Sequence, residues 1–317
     1  MSYSPDFSQP ENAPFQPPTA SPSSTGTSGK AIASLILGLV SIVGMCFTGI
    51  PGLILGIMGL GDINRSQGRV GGKGLAIVGI VFSSLGTIWT IIVLLIGLML
   101  PAIQVTRQAA REMTSANNVR QMVLSMHNYY ASKKQNFPLQ NRNGLSWRVH
   151  ILPFIERSDL YERFNLDEPW DSPNNIQLLD EMPDCYVCPT VDLPLGYTVY
   201  QVPYTDMATN PTGKDVALFD TSGVGLTLGQ ISDGSSSTAM VLEVNPEVAE
   251  EWTKPADWEF DPADPTRDLG GVNPSTIIVG FADGHTQRLP NSIDPETMKA
   301  IMTRAGGEEL PRDFGCY

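Results

Sequence analysis

Residues 98–130 read LMLPAIQVTRQAAREMTSANNVRQMVLSMHNYY. Val105, Ala109, Met113, Ala116, Val119, Met122, Met126 and Tyr130 recur there every three or four positions, one apolar stripe of an amphipathic helix. Immediately upstream, Gly74 to Thr106 is a run of 33 residues without a charged side chain. That exceeds the roughly 20 residues a helix needs to cross a bilayer. An apolar span thus flows directly into an amphipathic helix. The spacing predicts a helix over 101–135 continuous with that span and ended by Asn136-Phe137-Pro138. Pro101 is the weak point, because an interior proline removes one backbone bond.

Upstream of that span, a second charge-free run covers Ala31 to Gly61. As one straight helix it would be about 46 Å long. The cluster Thr48-Gly49-Ile50-Pro51-Gly52 is expected to break it, leaving either one kinked crossing or two half-length helices that re-enter. Its many glycines permit close helix packing. Loop 62–73 carries Arg65, Arg69 and Lys73, and a basic loop is retained in the cytoplasm. The second span then delivers everything after Pro101 to the far side. Residues 1–30, rich in Pro, Ser and Thr, have the composition of a disordered tail and no cleavable signal. The expected organisation is a tail over 1–30, a membrane module over 31–100 and an extracytoplasmic domain over 101–317. The protein would be a multi-pass component of the cytoplasmic (inner) membrane whose first partner is the lipid bilayer.

The net charge of −13 is uneven: nine Lys/Arg against four Asp/Glu in 101–163, seven against 26 in 164–317. So acidic a distal half repels phosphate backbones and excludes nucleic-acid binding. Its short apolar runs, separated by Pro, Gly and Asp, read as an α+β domain. Expected strands are 197–202, 215–219, 238–244 and 276–282. Asp283-Gly284 reads as a hairpin turn, and Asp294 as the N-cap of a helix with Pro295 at its first position and Gly306-Gly307 beyond its end.

No reaction is legible. Cys185-Tyr186-Val187-Cys188 has CxxC spacing, but Pro189 follows at once where a redox motif would open a helix. A zinc site would need Cys316 and His285 without the usual spacing. A disulfide (Cys185 with Cys188, or Cys188 with Cys316) or free thiols outweigh both readings. Cys46 is a small hydrophobe of the first run. His127, His150 and His285 are scattered and form no triad pattern. Asp167, Glu168 and Asp171 beside Trp170 would suit a calcium loop; a turn in which Trp170 packs on the core is preferred. No catalytic residue, cofactor or metal is expected.

The 98–130 stretch, with SWRVHILPFIE, LYERFNLDEPWDSPNN, Cys188-Pro189, ISDGSSSTAMVLE, EWTKPADWEF and FADGHTQRL, resembles a large bacterial family of prepilin-like proteins of unknown function, abundant in planctomycetes. The likeness covers nearly all of residues 90–310. Residues 31–80 resemble a second family of unknown function, a two-helix membrane module. The first resemblance implies a pilin-like plan, one long N-terminal helix packed on an antiparallel sheet. This chain departs from it in two places. Gly79 falls at the family's cleavage glycine, but Ser84 stands where a glutamate would, so processing is not implied. Asn273 stands where the family often has a histidine, and no role is carried over to it. The expected function is a non-enzymatic structural or interaction component, with protein partners met through helix 101–135. The alternative is an extracytoplasmic ligand-binding or cation-binding module anchored in the membrane.

Overall fold

The computed structural model describes residues 26–311 and 314, except 45, 67–69, 134, 211–212, 214 and 309; the side chains of 41–48 are also outside that description. Most of the expected tail, Arg69 and Cys316 therefore lie outside the described residues. The chain divides into two compact units, Met1–Ile103 and Gln104–Tyr317.

The first unit contains α1 (Gly29–Gly44), α2 (Cys46–Arg65) and the start of α3 (Lys73–Ser132). The described residues of the run 31–61 form two helices, and the Thr48–Gly52 cluster expected to break the run lies within α2. Pro51 is accommodated inside α2. It lies in the second turn, where its fixed φ suits a helix and only one backbone bond is lost. Helix also replaces both ends of the expected loops: α1 begins at Gly29, and Asp62 to Arg65 complete α2. The three helices approach through glycine. A Cβ on Gly38 would lie 2.9 Å from the Gly79 carbonyl oxygen, one on Gly52 2.6 Å from Ser83 Oγ, and one on Gly56 2.6 Å from Ile80 Cγ1. Side chains at these positions would force the helices apart. Ile88, Trp89, Leu94 and Leu98 on α3 remain exposed. Among the described residues one helix, Lys73–Ser132, is long and apolar enough to cross a membrane, and Gly29–Val40 is a shorter apolar stretch.

The second unit is α+β. The second half of α3 is followed by the hairpin β1 (Asn141–Arg142) and β2 (Leu145–Ser146), then by the short helices α4 (Trp147–His150) and α5 (Ser158–Tyr161). Nine more strands follow: β3 (Tyr197–Thr198), β4 (Tyr200–Gln201), β5 (Pro203–Thr205), β6 (Phe219–Asp220), β7 (Ala239–Glu243), β8 (Glu250–Glu251), β9 (Trp258–Glu259), β10 (Thr276–Phe281) and β11 (Thr286–Pro290). Helix α6 (Pro295–Met302) follows, with the Asp294 carboxylate accepting from the Thr297 N–H as its cap. The central sheet has the order β11-β10-β7-β4 and is antiparallel throughout. β5 pairs in parallel with β6 and β9, and β3 pairs with β8.

α3 runs from Lys73 through Pro101 to Ser132 as one helix, so the expected continuity holds. Val119, Met122, Val123 and Met126 are fully buried in the core. The rest of the stripe is not: Val105 is 68% exposed and Met113 60%. The sheet underlies only the distal part of the stripe. Contact there is close. A Cβ on Gly280 of β10 would lie 2.6 Å from Val119 Cγ1 and 2.9 Å from Val123 Cγ2. The expected strand 215–219 shrinks to Phe219–Asp220 plus a bridge from Ala217 to Thr303. Asp215, at φ +51°, turns the chain away from an extended path.

Candidate functional site

The sheet carries a buried carboxylate. Glu243 ends β7, which is otherwise AMVL, and it is shielded from solvent beneath α3. Ser115 of α3 donates to one of its oxygens. Asn273 Nδ2, at 3.0 Å, and the Ile278 N–H, at 3.3 Å, donate to the other. The Tyr200 hydroxyl of β4 lies 2.6 Å from Ser115 Oγ. With the Ser115 proton directed to Glu243, the consistent chain runs from Tyr200 to Ser115 to Glu243. No cation pairs with the carboxylate among the described residues. Burial therefore raises its pKa to about 7; Ser115 and the Ile278 N–H oppose this, while the charge of Glu112, one turn before Ser115 on α3, adds to it. Burial likewise raises Tyr200, and it raises the Cys188 thiol, which lies against the Tyr200 hydroxyl. The cluster joins α3 to three sheet positions. Asn273, where the resembled family often has a histidine, is one of its donors.

A second buried centre is the ion pair Arg148–Asp257, 2.7 Å apart with both side chains fully enclosed. Arg148 also donates to the Tyr200 carbonyl and to Ser146 Oγ, and its guanidinium lies 4.7 Å from the Trp147 ring centroid. Asp257 accepts in addition from Trp147 Nε1 and the Val202 N–H, both at 3.1 Å. Burial raises the Asp257 carboxyl, and Arg148 only partly offsets it. Such a pair fixes position more than it adds stability. Here it ties α4 to β4 and to the segment before β9.

Cys185 and Cys188 are both buried, with free thiols. Cys185 lies in a 3₁₀ turn, Asp184–Tyr186, and Cys188 beyond it. Burial pushes the Cys185 thiol to about 12, the opposite of a reactive thiolate. Asp167 and Asp171 are exposed, and the loop around them is closed by Asn175. The buried Asn175 Nδ2 donates to the carbonyls of Asn165, Glu168 and Pro169 at 3.0 to 3.1 Å. An amide thus stands at the focus of three carbonyls, and Trp170 packs half-buried on the core. Among the described residues no three His, Cys, Asp or Glu side chains gather as metal ligands.

The three histidines stay apart in role. His127 Nε2 bonds the Ala282 carbonyl at 2.8 Å. His285 stacks on Phe281 with Nδ1 2.6 Å from Asp283. His150 is buried, and burial, followed by the charge of Arg142, depresses its pKa to about 4. Sequence reading singled out none of Glu243, Arg148, Asp257 or Asn175. Glu243 did carry a signal, a lone carboxylate in an apolar strand. Its partners could not be found from spacing, because Ser115 is 128 positions away.

Two family models match the chain. Residues 30–93 match a domain of unknown function, DUF4190. Residues 104–272 match a protein of unknown function, DUF1559. No curated protein and no solved structure matches it. The second match covers more than half of the chain and takes in Ser115, Arg148, Tyr200, Glu243 and Asp257, the residues that join α3 and α4 to the sheet. On that match, this chain belongs to the DUF1559 family of proteins of unknown function.

Proposed function

We propose that this protein is a non-enzymatic structural or interaction component of the cytoplasmic membrane, with a pseudopilin-like Gln104–Tyr317 domain on the extracytoplasmic side. The observation that carries the reading is the single helix Lys73–Ser132, whose first half is an apolar span and whose last turns are domain core. One helix thereby supplies both an apolar span and part of the domain's core. The exposed Val105 and Met113 leave an apolar face of α3 for a protein partner. The two buried polar centres support the same reading, since both are consumed in holding helices to the sheet. The side of the membrane is argued from Arg65, Arg69 and Lys73 in and beside the loop before α3.

Cysteines introduced at Gly68 and Gly213, scored against the parent chain on intact spheroplasts with a membrane-impermeant thiol reagent, test the topology. Labelling at 213 and not at 68 is expected; the reverse pattern overturns it. Met113→Asp tests the interaction role. It should leave the protein folded and shift it to a smaller species when membranes are gently solubilised. An unchanged species would mean that this face meets no partner.

A further inference from the structure

We propose that the cavity between the end of α3 and the β1–β2 hairpin binds a small organic anion, a carboxylate carried on an apolar body. The cavity measures about 370 Å³ and is lined by Tyr129, Lys133, Asn136, Phe137, Leu139 and Arg142 among others. That is within the range of small-molecule sites, roughly 300–1,000 Å³. No carboxylate lines it, in a chain of net charge −13.

The local fold builds this cavity. Gln135, at φ +60°, reverses the chain after α3, and the Phe137 N–H bonds the Leu226 carbonyl at 2.9 Å. Asn143 and Gly144, both at positive φ, turn the hairpin that carries Arg142. Two cations from separate elements are thereby set on one apolar-walled hollow. Neither has an ion-pair partner among the described residues, whereas Arg148, Arg163, Lys254, Arg267, Lys299 and Arg304 each have a carboxylate. Arg142 makes only a long contact, 3.4 Å, to the Tyr129 hydroxyl. Lys133 alone would be accounted for by the C-terminus of α3. Arg142, on the hairpin, would not.

The uncompensated charge reaches inward. The buried His150 feels both Arg142 and Lys133, and its Nε2 is enclosed without a hydrogen-bond partner. A bound anion neutralises this potential. The planar guanidinium of Arg142 matches a carboxylate in bidentate fashion, Lys133 adds a point charge, and Phe137 with Leu139 offers the apolar wall. The larger cavity of the domain, about 570 Å³, is lined by Asp206, Asp215, Glu259 and Asp261, and its one cation, Arg267, already has carboxylate partners. Its Asp215 pairs with Lys299 and its Asp261 with Arg267.

The test uses the full chain in a non-ionic detergent at low salt, titrated with benzoate, benzyl alcohol and inorganic phosphate. Saturable benzoate binding is expected, stronger than that of either other probe. Arg142→Gln and Lys133→Gln should each weaken it by about tenfold or more, and Arg142→Lys by less. Arg120→Gln, on the exposed side of α3, should leave it unchanged. Benzoate should also move the His150 titration upward, followed by NMR, with the amide spectrum of the domain core unchanged, which separates the effect from unfolding. Absence of saturable benzoate binding, or binding indifferent to Arg142, overturns the site. Equal binding of phosphate or of benzyl alcohol overturns the assigned ligand class, since charge or apolar contact would then suffice.

Discussion

A single side chain, Glu243, links the domain's stability to pH. Its carboxyl is raised from an ordinary 4.5 to about 7 by burial. Below pH 4.5 both folded and unfolded chains hold the proton. Between 4.5 and 7 the unfolded chain releases it and the folded one keeps it, so the unfolded state binds fewer protons and stability falls as pH rises. Above 7 both are ionised and the slope ends. The shift corresponds to about 3 kcal/mol lost across that window. Glu243→Gln keeps acceptors for Asn273 and Ile278 without the charge, so it should remove the slope and stabilise the protein at pH 8. Unfolding midpoints at pH 5 and pH 8, parent against variant, check this. A parent equally stable at both values would mean that the buried carboxylate is compensated in a way its three donors do not account for. The neighbouring Arg148–Asp257 pair has the opposite character: its charges face each other, so removing either one strands the other in the core.

At the scale of elements, α3 shows how one periodic pattern serves two environments. Eight apolar positions from Val105 to Tyr130 share a spacing, yet only those from Ala116 onward pack on the core, with Val119, Met122 and Met126 fully buried. Met122→Asp should unfold the domain, because it buries an unpaired charge. Gly280→Val should destabilise it by about 2–4 kcal/mol, because the new side chain enters space held by Val119 and Val123. Circular dichroism and denaturant unfolding of the two variants beside Met113→Asp separate the halves of the stripe. Equal tolerance at 113 and 122 would refute the division. The β10–β11 hairpin gives a smaller example. Asp283-Gly284 does mark the turn, but the Gly284 N–H bonds the Phe281 carbonyl and the Phe281 N–H bonds the His285 carbonyl. The loop is therefore three residues long, with Gly284 at φ +97° as its bulge, instead of a two-residue turn.

At the scale of the whole molecule, the fate of Gly79 bears on processing. It lies inside α3, and a Cβ there would meet Ser34 Oγ and, at 2.9 Å, the Leu35 nitrogen of α1. Cleavage after Gly79 would remove α1 and α2 and the packing they make with α3. The chain should therefore keep its first 79 residues in its native host, as an intact-mass measurement would record. A mature N-terminus at Ile80 would instead restore a pilin-type maturation.

Sequence alone determined the long helix α3, the capped helix α6 and the α+β class of the distal domain. A charge-free run and a three-to-four spacing are local properties, and so are the cap Asp294-Pro295 and the glycines of the apolar runs. It also indicated, through resemblance, the long helix over an antiparallel sheet. Only the tertiary structure decided which part of the α3 stripe is core, because burial depends on how far the sheet extends beneath the helix. The same holds for the Glu243 cluster, for Asn175 at the focus of three carbonyls, and for Lys133 beside Arg142. Each joins residues whose separation in the chain carries no period. Hydrogen bonds and fields act across a few ångströms of space, and the folded chain alone sets which residues those ångströms separate.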